Sequence, residues 1–278
     1  MPLWDSPLLM WVTDRIHADA PLPELAQAAN GSSFDLIQVR EPGLDRLPLE
    51  LLVRAIKTVA GSESSVVVNS DIELARKLGV GVHLPEAGPS IESARAVLGT
   101  DTVVGRSIHS IEAAASSEGA SYLIAGHIFD TASKENRPPI GIDQLRGIVE
   151  SAPAPVLAIG GITPERVATV LRAGAAGIAV MSPLTKLGTI AEQARAYRAA
   201  LEQQMDEQNG GMITATINGN PANLPAGTTI SDFLAGRELH ERLVVVERNG
   251  EIVKRSLFPD VAIEEGDLLE IVHFVGGG

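Results

Sequence analysis

The sequence has no cysteine, few basic residues and no long apolar run, and each absence excludes some functions. Without cysteine the chain forms no disulfide and offers no thiolate, which fits a reducing compartment. Lys and Arg number 22 against 35 Asp and Glu, a formal net charge of −13, which opposes nucleic acid and anionic membranes as partners. No apolar run reaches the roughly 18 residues of a membrane span, and no basic segment precedes the first apolar stretch. We therefore expect a cytoplasmic protein that binds neither nucleic acid nor membrane.

The sequence does contain a regular alternation of short β-rich runs with helix-like segments. The strand-like runs are 8–14, 35–41, 65–69, 80–84, 102–109, 122–129, 155–161 and 177–182. Between them apolar residues recur at helical spacing, as in 48–60 and 163–174. Continuous apolar strands are typical of a parallel sheet that is covered on both faces. The alternation therefore predicts an α/β fold, a (β/α)8 TIM barrel over residues 1–204, with an open doubly wound sheet as the alternative.

The pattern changes after the barrel. Residues 205–211 are polar and end in glycine, which predicts a linker. The chain then shows two hairpin signals with Asn-Gly at their turns and a helix-like stretch at 228–239 between them. Thr228 or Ser231 is the expected N-terminal cap of that helix. Two hairpins around one helix predict a small β-grasp (ubiquitin-like) domain over residues 212–278.

The sequence ends in HFVGGG, a triple glycine directly after an apolar strand-like run. Glycine carries no side chain, so a carboxylate on such a tail can enter a channel that is too narrow for other residues. The tail is either a reactive element or a flexible end without function.

Residues 212–278 resemble the ThiS family of ubiquitin-like sulfur carrier proteins, through the Asn-Gly hairpins and the ending EGDLLEIVHFVGGG. The resemblance implies that Gly277 and Gly278 form the sulfur-carrying C-terminus. It also implies three partners: a ThiF-like adenylyltransferase that activates the Gly278 carboxylate with ATP, a sulfur donor that produces a thiocarboxylate, and a thiazole synthase that accepts the sulfur.

The barrel resembles the superfamily that contains thiamine phosphate synthase and the TenI-like thiazole tautomerase. The resemblance lies in VTD (12–14), IQVRE (37–41), VVVNSDIELARKLGVGVHLPE (66–86), GRSIH (105–109), LAIGGITPERV (157–167) and AGIAVMS (176–182). These segments identify the superfamily, but the enzymes of both reactions share them. Departures from one pattern or the other must therefore indicate the activity.

Several departures from the synthase pattern favour the tautomerase. A synthase holds a pyrimidine pyrophosphate and Mg²⁺, which requires carboxylate ligands and a cationic clamp. The typical QLREK reads QVREP at 38–42, and the usual Asn-Asp pair has become NSD at 69–71. The typical HLGQ-x-D has become HLPEAG at 83–88, so the second metal carboxylate has no counterpart. By contrast, GHIF at 126–129 resembles the strand-six motif of the tautomerase.

His127 is the catalytic residue that the tautomerase resemblance implies. It follows the sixth strand, at the face where TIM barrels hold their active sites. An imidazole both takes and returns a proton near neutral pH. In the tautomerase reaction, the non-aromatic thiazole carboxylate phosphate loses a ring proton and gains one on its exocyclic carbon. The alternative is a packed or hydrogen-bonded histidine without a catalytic role.

Structural roles are favoured for the remaining histidines. His83 and His109 end strands and could line the pocket, but packing is the preferred interpretation of both. We expect His17, His240 and His273 at the surface or in packing. None shows the spacing of a zinc site, so we predict no metal and no cofactor for the barrel itself.

The substrate phosphate has its predicted site in the loops after strands seven and eight. Gly160 and Gly161 follow the seventh strand, and Met181 and Ser182 follow the eighth. TIM barrels commonly hold phosphate in these loops on backbone N–H groups. A tight turn that needs glycine is the alternative explanation of the glycine pair.

The other end of the substrate is assigned to the strand ends on the opposite side. Gln38 and Arg40 are candidates to bind the substrate carboxylate; the alternative for Arg40 is an ion pair with Glu41 or Asp14. Asn69 is a further substrate-binding candidate.

Lys134, in the loop after strand six, is a candidate to close over the ligand. Its alternative is an exposed lysine without a specific role.

These observations predict a bifunctional protein of thiamine biosynthesis. Its barrel would aromatise a small phosphorylated thiazole, and its C-terminal domain would carry sulfur to the thiazole synthase. Two alternatives remain: a thiamine phosphate synthase barrel that carries the same domain, and a non-catalytic barrel that only presents the sulfur carrier to its partners.

Overall fold

The structure is a computed structural model that describes residues 7–29, 34–62, 64–131, 138–208, 211–237 and 239–273. The chain divides into two compact units, Met1–Gln204 and Met205–Gly278. Within the described residues, no helix combines the length and the apolar character that a membrane crossing requires.

The first unit is a closed barrel of eight parallel strands in chain order. The strands are β1 Leu8–Val12, β2 Leu36–Val39, β3 Ser65–Asn69, β4 Gly81–Leu84, β5 Val104–Ile108, β6 Tyr122–Gly126, β7 Val156–Ile159 and β8 Gly177–Val180. The helices are α1 Leu22–Ala28, α2 Arg46–Ala60, α3 Ile72–Leu78, α4 Ile91–Leu98, α5 Ile111–Ala115, α6 Gly141–Ser151, α7 Pro164–Arg172 and α8 Ile190–Gln208. Because β1 pairs with β8, the predicted TIM barrel is confirmed and the open sheet is excluded.

The barrel strands are buried on both faces, which accounts for their continuous apolar runs. Along β1, Leu8, Met10 and Val12 pack with buried residues of other strands. Leu9 and Trp11 belong instead to the cluster that contains the helix residues. Successive side chains of a strand point to opposite faces, so the first set fills the barrel interior and the second supports the helices.

The predicted linker at 205–211 differs from the structure. The last barrel helix, α8, continues through Gln208, so the first four of these residues are helical. The stretch from Ala194 to Gln208 contains no glycine or proline and consists largely of Ala, Glu, Gln, Arg and Leu, which are good helix formers. Polarity alone suggested a linker, but helix propensity continues the helix through Gln208.

The second unit is a five-stranded sheet with one longer helix, the predicted β-grasp arrangement. Its elements are β9 Met212–Ile217, β10 Asn220–Pro225, α9 Ile230–Gly236, β11 Val244–Arg248, β12 Glu251–Ile252 and β13 Leu268–His273. The strand order is β10-β9-β13-β11-β12, and β13 is parallel to β9. Both hairpins turn at Asn-Gly pairs with positive φ, as Asn218 at 49° and Gly219 at 74° show, which is the turn that such pairs favour.

The cap of α9 corrects a detail of the sequence analysis. Thr229, rather than Thr228 or Ser231, is the N-cap residue: its Oγ1 accepts a hydrogen bond from the Asp232 N–H at 3.1 Å. The Asp232 carboxylate in turn accepts from the Thr229 N–H at 3.1 Å. This reciprocal capping box needs an acidic residue three positions after the cap, and Thr229 has one.

Candidate functional site

A cavity of about 650 Å³ opens at the carboxyl ends of the barrel strands. Eight residues that the sequence analysis predicted as catalytic or substrate-binding line it together: Gln38, Arg40, Asn69, His127, Gly160, Gly161, Met181 and Ser182. Lys134, Gly277 and Gly278 lie outside the described residues. The fold therefore brings the predicted residues of five strand ends to one site.

His127 directly follows β6 and has a side chain that is only 5% exposed. Its backbone is held on both sides, because its carbonyl accepts from Ile140 N at 2.9 Å and the next N–H, of Ile128, donates to Ile159 O at 2.9 Å. Gly160 packs against it so closely that a Cβ at position 160 would lie 2.3 Å from the His127 Cβ. The imidazole is therefore carried on a fixed segment at the cavity wall.

The second glycine has a similar steric role. Gly161 has a φ of +65°, and a Cβ on it would lie 2.5 Å from the Asp130 carbonyl and 2.8 Å from the Phe129 Cβ. Both glycines thus let the turn after β7 lie against the loop after β6. Close packing accounts for the glycine pair, and the same packing leaves its backbone exposed to the cavity, so the turn and phosphate interpretations are compatible.

Arg166, in the first turn of α7, is a cavity residue that the sequence analysis missed. Its Nη1 donates to the Gly161 carbonyl at 2.7 Å, and its guanidinium carbon lies 4.7 Å above the centre of the Phe129 ring. The available signal was an arginine five residues after a glycine pair, in GGITPERV. Arg166 therefore connects the two loops that meet beside His127.

Two side-chain amides line another part of the cavity and are bonded to each other. Gln38 is buried, and its Nε2 donates to Asn69 Oδ1 at 3.1 Å. Asn69 Nδ2 donates to Ser70 Oγ at 2.8 Å. This chain orients both amides at the ends of β2 and β3.

Arg40 does not form either of the ion pairs considered as alternatives. The buried Glu41 carboxylate accepts from Thr13 Oγ1 at 2.6 Å, and Asp14 Oδ2 lies 2.7 Å from His17 Nδ1. Among the ion pairs between residues that the structure describes, none involves Arg40. Its guanidinium is exposed at the cavity, and its charge is available to an anionic ligand.

Met181 and Ser182 form the wall after β8. Ser182 begins a short 3-10 turn that ends at Leu184, and Leu184 N donates to the Met181 carbonyl at 3.0 Å. Thr185 Oγ1 bonds the Ser182 carbonyl at 2.9 Å. These bonds hold the segment next to the Gly160-Gly161 turn, since β7 and β8 are neighbours in the barrel.

His83 lies inside the barrel and contacts the cavity through Ser107. Its Nε2 is 2.8 Å from Ser107 Oγ, and its Nδ1 is 3.1 Å from the Tyr122 hydroxyl. Burial lowers the pKa of His83 from 6.5 to about 3, and the charge of Arg40 also lowers it. The ring is therefore neutral near pH 7, and it supports Ser107, a cavity residue that the sequence analysis did not name.

The low pKa of His83 predicts a specific loss of stability in acid. Between about pH 6.5 and 3 the unfolded chain protonates His83 while the folded barrel does not, so the free energy of unfolding falls as pH falls. His83→Gln removes this titration and retains hydrogen-bonding capacity. From pH 6.5 to 4.5 we expect wild type to lose about 2 to 3 kcal/mol more than this variant. Urea unfolding followed by tryptophan fluorescence measures it, because Trp11 is buried in the barrel core and the second unit contains no tryptophan. Parallel pH curves for the two proteins would contradict the prediction.

His109 and Glu86 form a second polar pair at the cavity. His109 Nδ1 lies 2.7 Å from Glu86 Oε2, and the His109 N–H donates to Glu86 Oε1 at 3.2 Å. Arg106 Nη2 donates a hydrogen bond to the Glu86 backbone carbonyl at 2.6 Å. Both Glu86 oxygens are thus engaged by one residue, which fixes the pair at the end of β5.

The fold and the site define two classes of protein. The first unit is an enzyme-like barrel with its cavity at the carboxyl ends of the strands, and the second is a ubiquitin-like domain that follows it in the chain. The family described as thiamine monophosphate synthase (TMP-TENI) matches residues 9–184, and the ThiS family matches residues 215–278. The chain belongs to the thiamine monophosphate synthase (TMP-TENI) family and carries a ThiS domain. Both resemblances seen in the sequence are confirmed.

Relatives and solved structures agree with this assignment. A thiamine-phosphate synthase of Natronomonas pharaonis is 37% identical over 171 residues, 58% of this chain and 79% of the relative. That of Haloarcula marismortui is 33% identical over 208 residues, 72% of this chain and 98% of the relative. The thiamine phosphate pyrophosphorylase structure from Pyrococcus furiosus matches with a TM-score of 0.63 and 28% identity, covering 72% of this chain and 97% of that one. The chain is therefore a thiamine-biosynthesis barrel fused to a ThiS sulfur carrier domain, which associates it with sulfur-transfer machinery.

The two carboxylates at the segments that differ from the synthase pattern, Asp71 and Glu86, already take part in hydrogen bonds. The Asp71 carboxylate caps α3, accepting from Leu74 N at 2.8 Å. Glu86 is held by His109 through both of its oxygens. Across the described ranges, no three His, Cys, Asp or Glu residues come together as metal ligands. Hard-cation binding requires available carboxylate oxygens; both Glu86 oxygens and one of the two Asp71 oxygens already accept hydrogen bonds.

Proposed function

We propose that the barrel is a thiazole tautomerase, an isomerase, and that the ThiS domain carries sulfur as a thiocarboxylate on Gly278. The observation that carries the barrel assignment is His127, a buried histidine at the wall of a cavity at the carboxyl ends of the strands. The engagement of both Glu86 oxygens by His109 supports an isomerase over a metal-dependent transferase.

The proposed reaction is a proton transfer by one group. The His127 imidazole takes the ring proton of the non-aromatic thiazole, and the electron pair of that C–H bond enters the ring. The exocyclic double bond then shifts its electron pair, and the imidazolium returns the proton to the exocyclic carbon. One proton leaves and one is returned, so the balance needs no metal and no redox cofactor. The low exposure of His127 restricts loss of the proton to water.

Cavity residues on two sides would bind the two anionic ends of the substrate. Arg40 has no ion-pair partner among the described residues, which suits the substrate carboxylate. The backbone of Gly160, Gly161, Met181 and Ser182 suits the phosphate. Gln38 and Asn69, oriented by their mutual hydrogen bond, would contact the polar part between them.

The ThiS domain would act in the step that precedes the barrel reaction, the delivery of sulfur for thiazole formation. Its proposed partners are a ThiF-like adenylyltransferase, which consumes ATP, a sulfur donor, and a thiazole synthase that accepts the sulfur. The product of that synthase would be the substrate of the barrel. Tethering the two activities raises the local concentration of tautomerase where thiazole is formed.

Thiamine phosphate synthase is the second candidate, because the relatives from Natronomonas pharaonis and Haloarcula marismortui carry that name. A joining assay separates the two reactions. We expect the purified chain, supplied with Mg²⁺, pyrimidine pyrophosphate and thiazole phosphate, to form no thiamine phosphate above background, because Pro42 replaces the typical lysine and Glu86 is engaged by His109. Tautomerase activity should be unaffected by a chelator. Mg²⁺-dependent turnover comparable to that of the Haloarcula marismortui relative would establish the synthase instead.

A further inference from the structure

Two guanidinium groups line the described part of the cavity, and they lie on different sides of it. Arg40 follows β2, whereas Arg166 belongs to the first turn of α7, directly after β7. Around the closed barrel β8 and β1 separate these two strands. A substrate with an anionic group at each end therefore meets one positive charge on each side.

The Arg166 guanidinium has a defined position and unused donors. One face covers the Phe129 ring at 4.7 Å, and Nη1 donates to the Gly161 carbonyl at 2.7 Å. A guanidinium has five N–H donors, and the structure gives this side chain no second hydrogen bond within the described residues. Stacking and the carbonyl bond fix the plane of the group, so the remaining donors are already ordered before a ligand binds.

The position beside the glycine turn indicates which anion these donors take. A phosphate ester carries up to two negative charges near pH 7, and backbone N–H groups are dipoles that do not neutralise them. The chain has a formal net charge of −13, so its overall field opposes an anionic ligand. A local cation therefore strengthens phosphate binding beyond what the backbone N–H groups supply, and the planar arginine fork matches phosphate oxygens.

We propose that Arg166 is the residue that supplies positive charge to the phosphate subsite of this cavity and donates hydrogen bonds to the phosphoryl oxygens. The ligand class, a phosphorylated thiazole, rests on the proposed function, but it is common to the tautomerase and the synthase reactions. Arg166 acts here as a binding and specificity residue, and proton transfer stays with His127.

Titration of the full chain with a thiazole alcohol phosphate and with the unphosphorylated alcohol tests the assignment. In Arg166→Gln, the Kd of the phosphate ester should rise about 10- to 100-fold, the effect of losing hydrogen bonds to a charged group. The Kd of the alcohol should stay within about twofold of wild type, because the change removes no contact to the ring. Arg166→Lys should be intermediate, since lysine retains the charge without the planar fork.

Arg172→Gln is the matched control. Arg172 lies in the last turn of the same helix, is exposed and does not line the cavity. The Arg172→Gln substitution removes the same charge from α7, but at a position away from the cavity. Both ligands should therefore bind this control variant as they bind wild type. Added salt should also weaken ester binding less in Arg166→Gln than in wild type, because screening acts on the charge that the variant lacks.

Each outcome separates this inference from the function on which it rests. Equal binding of ester and alcohol by wild type would mean that no phosphate subsite exists, and both proposals would be wrong. If wild type prefers the ester and folded Arg166→Gln retains that preference, only the Arg166 assignment is wrong. Equal losses for both ligands in Arg166→Gln would indicate a collapsed loop and would also overturn it. Should Arg166→Gln fail to fold, Arg166→Lys decides: a selective loss of ester binding supports the assignment, and unchanged ester binding overturns it.

Discussion

Replacing His127 with alanine is expected to lower the rate of thiazole tautomerisation by about 10²- to 10⁴-fold, the usual effect of removing a placed acid/base group. His127 lies at the cavity wall on a backbone held by neighbouring strands, so the substitution removes the proton carrier and leaves the loops in place. The rate is measured by the appearance of the aromatic thiazole. The Kd of the substrate should change far less than the rate, since the proposed phosphate and carboxylate contacts come from other residues.

Two further variants separate catalysis from packing. His127→Gln retains a polar side chain of similar size but transfers no proton, so it should be nearly as slow as the alanine variant. His17→Ala removes a histidine whose side chain is 74% exposed and lies outside the cavity lining, and it should retain the wild-type rate. A His127→Ala protein within threefold of wild type would favour the alternative of a barrel that only presents the sulfur carrier.

The largest expected effect on the second function is complete loss of sulfur loading when Gly277 and Gly278 are deleted. Incubation of the intact chain with ATP, a ThiF-like adenylyltransferase and a sulfur donor should add about 16 Da, the difference between sulfur and oxygen, to the C-terminal peptide. The deletion removes the carboxylate that is activated, so the increment should disappear. Mass spectrometry of the intact protein and of its peptides measures both results.

The controls for loading use the same chain. Extension by one alanine after Gly278 keeps both glycines but moves the carboxylate, and it should also prevent the increment. Omission of ATP should do so as well, because adenylation precedes sulfur transfer. The tautomerase rate should be unchanged in the deletion variant. The two-function proposal would not survive a full-length protein that never gains the mass, or a tail deletion that also abolishes tautomerisation.

The architecture of both units could be predicted because its signals are local. All eight barrel strands fall within predicted runs, since burial on both faces makes each strand continuously apolar. The Asn-Gly turns predicted both hairpins of the second unit because such pairs readily adopt positive φ. The errors were at the boundaries: α8 extends into the predicted linker, and Thr229 caps α9. Small differences in helix propensity decide where α8 ends, and one side-chain hydrogen bond decides which residue caps α9.

The candidate site could be predicted only in part. Residues at strand ends, such as Arg40 and His127, were found because parallel strands of a barrel all present their carboxyl ends at one face. Ser107 was missed because its role depends on His83, 24 residues away. Arg166 was missed because the ring that it covers, Phe129, lies on another loop. Neither contact leaves a periodic signal in the sequence.

By itself the sequence determined the two units, their fold classes, the family of each and the strand ends that carry the site. These follow from the spacing of apolar residues, from turn chemistry and from motifs, all of which act within one segment. Only the tertiary structure decided that Arg40 has no carboxylate partner among the described residues, that Glu86 pairs with His109, and that Gly161, Phe129 and Arg166 come together. Such facts depend on which loops become neighbours when the barrel closes, and closure joins segments that are far apart in the chain.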